Sequence, residues 1–352
     1  MKRLIFLILI ITSLLYSYEE ERWKGKVFKE GEITVVENRG NGIWGDKIKD
    51  KIFFKETLSI GTEKGVEDLV FGNGISVAVD LDGSIYILDS KNYRLLKFDR
   101  NGKFLWKAGR KGEGPGEFRS GGQVKISPDG RIAVSDNGNI IHFFSRDGRF
   151  LNTIKFDRFL MGIDFLRDGR IFASLMLQGQ SGYSAEFYSK EGKFLGKFQE
   201  EYAYGPKFSP GIGATVGRGF HLSGNRVYLC LPDRYEIREY DLDGKCLRKI
   251  RRDLKIKPPE IKVGEGFVRI RAHDVYGPIY ILKDGTIVNN LWIEEKEERE
   301  YYLDFFDPKG KFLGSYKLSE DEKLLLVDSK DNFYFLHFEP FTRIIRKEMK
   351  II

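Results

Sequence analysis

Asp99-Arg-Asn-Gly-Lys-Phe-Leu105 decides the architecture of this chain, because four later segments spell it again: Ser145-Arg-Asp-Gly-Arg-Phe-Leu151, Ser189-Lys-Glu-Gly-Lys-Phe-Leu195, Asp241-Leu-Asp-Gly-Lys-Cys-Leu247 and Asp307-Pro-Lys-Gly-Lys-Phe-Leu313. The marker glycines Gly102, Gly148, Gly192, Gly244 and Gly310 stand 46, 44, 52 and 66 residues apart. That interval suits a unit of four short strands and not the helix pairs of a solenoid.

Within the clearest unit the strands can be read directly. Gly74-Ile-Ser-Val-Ala-Val-Asp80 is apolar or alternating, Asp82-Gly83 turns it, Ser84-Ile-Tyr-Ile-Leu-Asp89 answers, and Tyr93-Arg-Leu-Leu-Lys-Phe98 alternates again. Asn101-Gly102 then starts the return along Lys103-Phe-Leu-Trp-Lys107, and Asn-Gly favours a type I′ hairpin. The first hairpin recurs at Asp129-Gly130, Asp168-Gly169, Gly224-Asn225, Asp284-Gly285 and Asp331-Asn332, which makes six inner turns against five outer ones. The last unit therefore lacks a strand. Glu30-Gly-Glu-Ile-Thr-Val-Val-Glu37 alternates suitably and is expected to supply it, closing the ring and hiding an edge that would otherwise invite aggregation. The expected fold is all-β, a six-bladed β-propeller of four-stranded antiparallel blades, in a single domain over residues 18–352. Hydrophobic residues at 41%, with 28 Phe and 17 Tyr, suffice for the apolar faces that such blades bury against one another.

Residues 70 to 150 carry a family likeness. Val79-Asp-Leu-Asp-Gly-Ser-Ile-Tyr-Ile-Leu-Asp-Ser-Lys-Asn-Tyr-Arg-Leu-Leu-Lys-Phe98, followed by Gly109-Arg-Lys-Gly-Glu-Gly-Pro-Gly-Glu-Phe118, resembles the NHL-type repeat of exported bacterial six-bladed propeller proteins. The resemblance implies a binding or scaffolding module. Related six-bladed propellers include lactonases and lyases, so the fold leaves activity open. Asp89, Asn92 and Arg94 form the sharpest part of the signature, and their expected role is structural: Asp89 caps a turn, Asn92 accepts a left-handed backbone and Arg94 pairs across strands.

The first residues read as an address. Lys2 and Arg3 precede an apolar run from Leu4 to Leu15, and the polar Tyr18-Glu-Glu-Glu-Arg22 follows, the pattern of a signal peptide over residues 1–17. The run is shorter than the roughly 20 residues that span a bilayer. An exported chain is expected, periplasmic, cell-surface or extracellular, with no transmembrane span after cleavage. Loss of Lys2 and Arg3 takes the formal charge from +7 to +5, with both signs interleaved. No nucleic acid partner is expected, since no dense Lys/Arg cluster is present.

Strand order also locates a site. With strands running outward from the axis, tight hairpins gather on one face and the long crossovers between blades on the other, where function belongs. Candidate ligand-binding residues on that face are Arg110, Arg119, Tyr202, Tyr204, Arg218, Arg271, His273 and Trp292, aromatics and cations that suit a glycan, a peptide or an anionic ligand. The expected partner is a protein, peptide or glycan, and the expected state a monomer. Gly112-Glu-Gly-Pro-Gly116 lacks the Lys-Ser/Thr ending of a phosphate loop and is taken as crossover backbone. No catalytic or metal set is assigned and no cofactor is expected. The alternative, a metal-dependent hydrolase or lyase at the central channel, would need calcium or zinc; for calcium Glu113, Glu117, Asp274, Asn289 and Asn290 are available. Cys230 and Cys246 fall on the second and fourth strands of one blade, about 9 to 10 Å apart, too far for a disulfide.

Overall fold

The computed structural model describes residues 22–72, 74–175, 183–200, 220–230, 234–254, 260–264, 267–271, 274–295 and 298–352. Three strands precede the repeats: β1 (Lys24–Glu30), β2 (Ile33–Arg39) and β3 (Ile52–Ile60), with a single helical turn α1 (Ile48–Lys51) before the third. Blade 1 is β4–β7 (Ile75–Val79, Ile85–Asp89, Arg94–Phe98, Phe104–Ala108) and blade 2 is β8–β11 (Val124–Ile126, Ile132–Asp136, Ile140–Phe144, Phe150–Lys155). Blade 3 is β12–β15 (Leu160–Phe165, Ile171–Leu175, Tyr183–Tyr188, Phe194–Glu200) and blade 4 is β16–β19 (Phe220–Ser223, Arg226–Cys230, Glu236–Asp241, Cys246–Arg252). A separate hairpin, β20 (Glu260–Gly264) and β21 (Phe267–Arg271), follows. Blade 5 is β22–β25 (Asp274–Ile281, Ile287–Glu295, Glu298–Phe306, Phe312–Lys317), and β26–β28 (Glu322–Val327, Asn332–His337, Arg343–Ile351) begin blade 6.

The six-bladed ring is closed by an N-terminal strand, but not by the expected one. β3 pairs antiparallel with β28 from Ile52 opposite Ile351 to Ile60 opposite Ile344, while β2 lies parallel to β19 on the rim of blade 4. The reason lies in the repeat. Each outermost strand leads through one crossover to the innermost strand of the next blade, and β3 stands in that relation to β4. A strand at 30–37 would have to reach the axis across far more chain. Ile52-Phe-Phe-Lys-Glu-Thr-Leu-Ser-Ile60 also alternates, so the local pattern does not by itself distinguish the two segments.

Six apolar clusters hold the ring, one between each neighbouring pair of blades. Period-two geometry explains how one strand serves two of them. In β5, Ile85 and Ile87 pack toward blade 6 while Tyr86 and Leu88 pack toward blade 2, so the strand reads as an unbroken apolar run.

The repeated heptad is a turn with its own hydrogen-bonding device. Gly102 alone takes a positive φ, at 81°; Asn101 does not, so the hairpin is a type I turn with a glycine bulge and not type I′. Asp99 Oδ1 accepts from the N–H groups of Asn101 (2.8 Å) and Lys103 (2.9 Å), and Gly102 N–H donates to Asp99 O at 3.0 Å. Ser145, Ser189, Asp241 and Asp307 play the same part in their blades.

β1 to β3 form a belt around half the rim. Asn38 is its fastening: its side-chain amide donates to Arg251 O and Gly310 O, both at 3.0 Å, and its oxygen accepts from Trp23 Nε1 and Phe312 N–H, both at 2.7 Å. Past it, the N–H groups of Ile43 and Trp44 reach Phe312 O and Leu313 O on blade 5. The heptad leucines register this cover: Leu313 is buried, whereas Leu105, Leu151 and Leu195 on blades 1 to 3 stand exposed.

Arg94 has the structural role expected of it. Its guanidinium bonds Asp89 Oδ2 (3.1 and 3.2 Å) and the carbonyls of Glu67 (3.1 Å) and Val70 (2.6 Å), clamping the crossover that enters blade 1. The left-handed residue is Tyr93, not Asn92, whose amide instead donates to Asp89 at 2.8 Å.

Cys230 on β17 and Cys246 on β19 are separated by β18, and both are free thiols. Burial raises both thiol pKa values. Reductant should leave Tm unchanged, and a thiol reagent should modify Cys246 slowly and Cys230 only after denaturation. Two fast equivalents on the native protein, or a bridged peptide in a non-reduced digest, would show the blade 4 strand order to be wrong.

Candidate functional site: the crossover face

The axial cavity has a volume of about 290 Å³ and is lined mainly by the first halves of the innermost strands, on the side where the crossovers arrive. Side chains stitch those strands together here. Ser76 Oγ accepts from Val124 N–H (3.1 Å), Gln123 Oε1 from Ile163 N–H (3.3 Å), Lys125 pairs with Asp164 (2.9 Å), and Tyr280 Oη donates to Leu325 O (2.9 Å). His221 borders the same space, its ring 5.9 Å from that of Tyr280.

Burial within the ring lowers the His221 pKa to about 4; the Asp164 carboxylate opposes this and the Lys125 ammonium reinforces it. From the ordinary 6.5 down to about 4 the unfolded chain takes up a proton that the folded chain refuses. Stability should therefore fall as pH drops through that window, by at most about 3 kcal/mol from this group, and should not respond to it above pH 7. Urea titrations between pH 7 and 4 should show a slope that His221→Gln flattens; an equal slope in the variant would assign it elsewhere.

Farther out, the crossover from blade 1 to blade 2 is a built wall. Glu117 Oε2 accepts from Gly114 N–H (2.8 Å) and its Oε1 from Arg110 Nε (2.7 Å), in that order the causes that hold its carboxyl below the usual range. Phe118 is fully buried, with its N–H on Arg110 O (2.8 Å) and its carbonyl accepting from Gly112 (3.0 Å). Past it, the N–H groups of Arg119, Ser120 and Gly121 converge on the Asp136 carboxylate at 2.9, 2.8 and 2.7 Å. Burial opposes the charge of Asp136, but His142 and those three donors prevail and keep its pKa well below normal. Arg119 thus starts from a fixed backbone and pairs with Glu113 at 2.8 Å.

That wall bounds a cleft of about 420 Å³ whose other side carries His142, Asn152, Thr153 and Lys155. A second cleft of about 390 Å³ adjoins it, sharing Lys155 and continuing to Arg158, Glu186, Tyr188, Phe194 and Lys197.

Of the residues expected at the site, Arg110 and Arg119 come together through Glu117 and Glu113 on this wall. Trp292 does not join them: it lies in β23 of blade 5, half-buried, with the Arg299 guanidinium 4.6 Å over its ring. Tyr202, Tyr204, Arg218 and His273 lie outside the described residues, as does the side chain of Arg271, whose backbone pairs with Glu260 in the β20–β21 hairpin. The calcium candidates whose side chains are described each have other partners. Glu113 and Glu117 are held by arginines, Asn289 donates to Tyr235 Oη (2.8 Å), Asn290 reaches Leu324 O (3.4 Å), and the side chain of Asp274 lies outside the described residues. Among the described residues no group of three or more His, Cys, Asp or Glu could hold a metal ion, and no helix is long and apolar enough to cross a membrane.

Sequence reasoning missed Lys125, Asp164, Lys155 and Glu186. Only one of these carried a signal. Glu186, like His142 and Asp304, places a titratable group two residues before the end of a third strand, where Leu96 stands in blade 1.

Residues 67–254, just over half of the chain, match the family model described as 6-bladed beta-propeller, DUF5128. The chain belongs to this family. No curated protein matches the sequence. Among solved structures, a member of the DUF4221 family from Bacteroides vulgatus is similar, at TM-score 0.62 and 11% identity, over 86% of this chain and 99% of that one. A Bacteroides fragilis protein named for inferred export is similar at TM-score 0.60 and 12% identity, over 90% and 99%. A streptogramin B lyase follows at TM-score 0.50 and 13% identity, over 86% and 99%. At such identities these neighbours share the propeller fold with this family member, and the fold alone.

Proposed function

We propose that this propeller is an exported binding or scaffolding module that takes a protein, peptide or glycan on its crossover face. The observation that carries this reading is the construction of residues 110–119. A surface loop rich in glycine has been given an internal carboxylate cap, a buried aromatic and a three-donor anchor, and the result is a fixed wall beside an open cleft. Rigid loops that line clefts are where binding sites reside. The likeness of residues 70–150 to the NHL-type repeat supports a binding role. Export is supported by the basic start and apolar run of residues 2–15 and by the name of the Bacteroides fragilis neighbour.

The test compares the two faces. The photo-crosslinking residue benzoylphenylalanine is placed at Pro115 on the crossover wall or at Arg167 on the opposite hairpin face, in the full chain in intact cells. Adducts from position 115 and not 167, with a purified partner whose affinity Arg119→Glu lowers at least about tenfold, would support the reading. Adducts from 167 alone would overturn it. So would turnover of a lactone or ester substrate that chelation abolishes, which would make the protein a hydrolase.

A further inference from the structure

The repeat supplies an internal control for the two clefts. His142, Glu186 and Asp304 occupy equivalent places, each two residues before the residue that pairs across the bulge with the first aromatic of the outer strand: Phe144 with Phe150, Tyr188 with Phe194, and Phe306 with Phe312. In blade 5 the chain satisfies this place itself. The Asp304 carboxylate accepts from Tyr235 Oη (2.6 Å), Arg252 Nη1 (2.6 Å) and Ser315 Oγ, and the Arg252 guanidinium covers the Phe312 ring at 4.2 Å.

Blades 2 and 3 leave the equivalent place incomplete. His142 and Glu186 are both more than nine-tenths buried, and each retains one side-chain atom, Nε2 and Oε1, without a hydrogen-bond partner. Each has a charged neighbour at ion-pair distance but outside good hydrogen-bond geometry: Asp136 at 3.7 Å from His142, and Arg158, about half of its own side chain in solvent, at 3.4 Å from Glu186. Each of the two residues lines an open cleft, and the clefts share Lys155. Phe194, the counterpart of the covered Phe312, is half exposed.

We infer that the two clefts form one groove for an uncharged oligosaccharide, whose hydroxyls complete the hydrogen bonding that Asp304 receives from its own chain. Resting on the binding reading above, this names its ligand class. Three features select the chemistry. A hydroxyl both donates and accepts, so one kind of group serves a carboxylate oxygen and an imidazole nitrogen alike. The lining mixes signs, four lysines and arginines against five carboxylates over the two clefts, and so gives no strong field for a polyanion or a polycation. The exposed Phe194 ring offers an apolar platform for a sugar face. Each cleft lies within the volume range of ordinary ligand sites, and their continuity calls for a chain of several sugars.

Calorimetry with cellohexaose, mannohexaose and chitohexaose, beside hexagalacturonate and a hexaglutamate peptide, tests this on the full chain. One neutral hexasaccharide should bind, its disaccharide at least about tenfold more weakly, and both Phe194→Ala and Lys155→Ala should weaken the hexasaccharide about tenfold at unchanged Tm. Binding only of hexagalacturonate or hexaglutamate would overturn the inference, as would no neutral binding at all. Hexasaccharide binding that ignores Phe194→Ala but is lost in the channel variant Lys125→Ala would move the site to the axis. In each of those cases the crosslinking from Pro115 is read separately, so the groove can fail while the binding face stands.

Discussion

A chain beginning at Gly61 should not fold cooperatively, whereas one beginning at Gly40 should fold with a lowered Tm. The two truncations separate the belt into a strand that closes the ring and a hairpin that reinforces it. β3 completes blade 6 along the whole of β28, and with it go Ile52 and Ile60, both nearly fully buried, and Phe54, whose ring meets Tyr316, Phe333 and Phe335 edge-on at 5.1 to 5.6 Å. Each such side chain is worth about 1.5 to 3 kcal/mol of burial, before the lost ladder and the newly exposed edge of β28 are counted. That sum rivals the roughly 5 to 15 kcal/mol by which a domain is stable. Loss of β1 and β2 removes Val35, Val36 and the Asn38 fastening, but blade 4 keeps its four strands. Calorimetry and size-exclusion chromatography of the two truncations decide the matter. A Gly61 start that melts like the full chain would mean that β3 does not close the ring.

Asp304→Ala should cost about 3 to 5 kcal/mol, among the largest effects of any single side chain. The carboxylate is fully buried between blades 4 and 5, where it is the acceptor for Tyr235, Arg252 and Ser315. Its removal takes from the Arg252 guanidinium, which lies over the Phe312 ring, the buried carboxylate it bonds at 2.6 Å, and breaking a buried ion pair by deleting one member costs far more than the pair was worth. Asp304→Asn keeps an acceptor and should fall between. Tyr235→Phe removes one donor and should cost about 1 to 2 kcal/mol. Urea unfolding at pH 7 measures all three. An alanine variant within about 1 kcal/mol of the parent would show that the network is not formed, since a surface position behaves that way.

The same network shows why half of the candidate site was hidden. Asn289 and Asp304 face each other across two strands of blade 5, and Tyr235, from blade 4, meets them only because neighbouring blades press together. Lys125 and Asp164 pair likewise across adjacent blades, and Arg158 on the crossover into blade 3 meets Glu186 on that blade's third strand, with no local pattern connecting either pair. Arg110 and Arg119 were legible because the crossover that carries them is a continuous segment whose glycines announced it. The misassigned closing strand has a different cause. Alternation in Glu30 to Glu37 and in Ile52 to Ile60 is equally good, and only the path length to the axis chooses between them.

Local chemistry alone determined the number of blades, their hairpins and the two unbridged thiols, because turn residues and period-two burial act within a few residues of one another. Tertiary structure decided which strand closes the ring, which half of the rim the belt covers, and where buried polar groups are left for a ligand to satisfy. Those outcomes depend on contacts between whole blades, and the energy of such a contact belongs to neither sequence segment by itself.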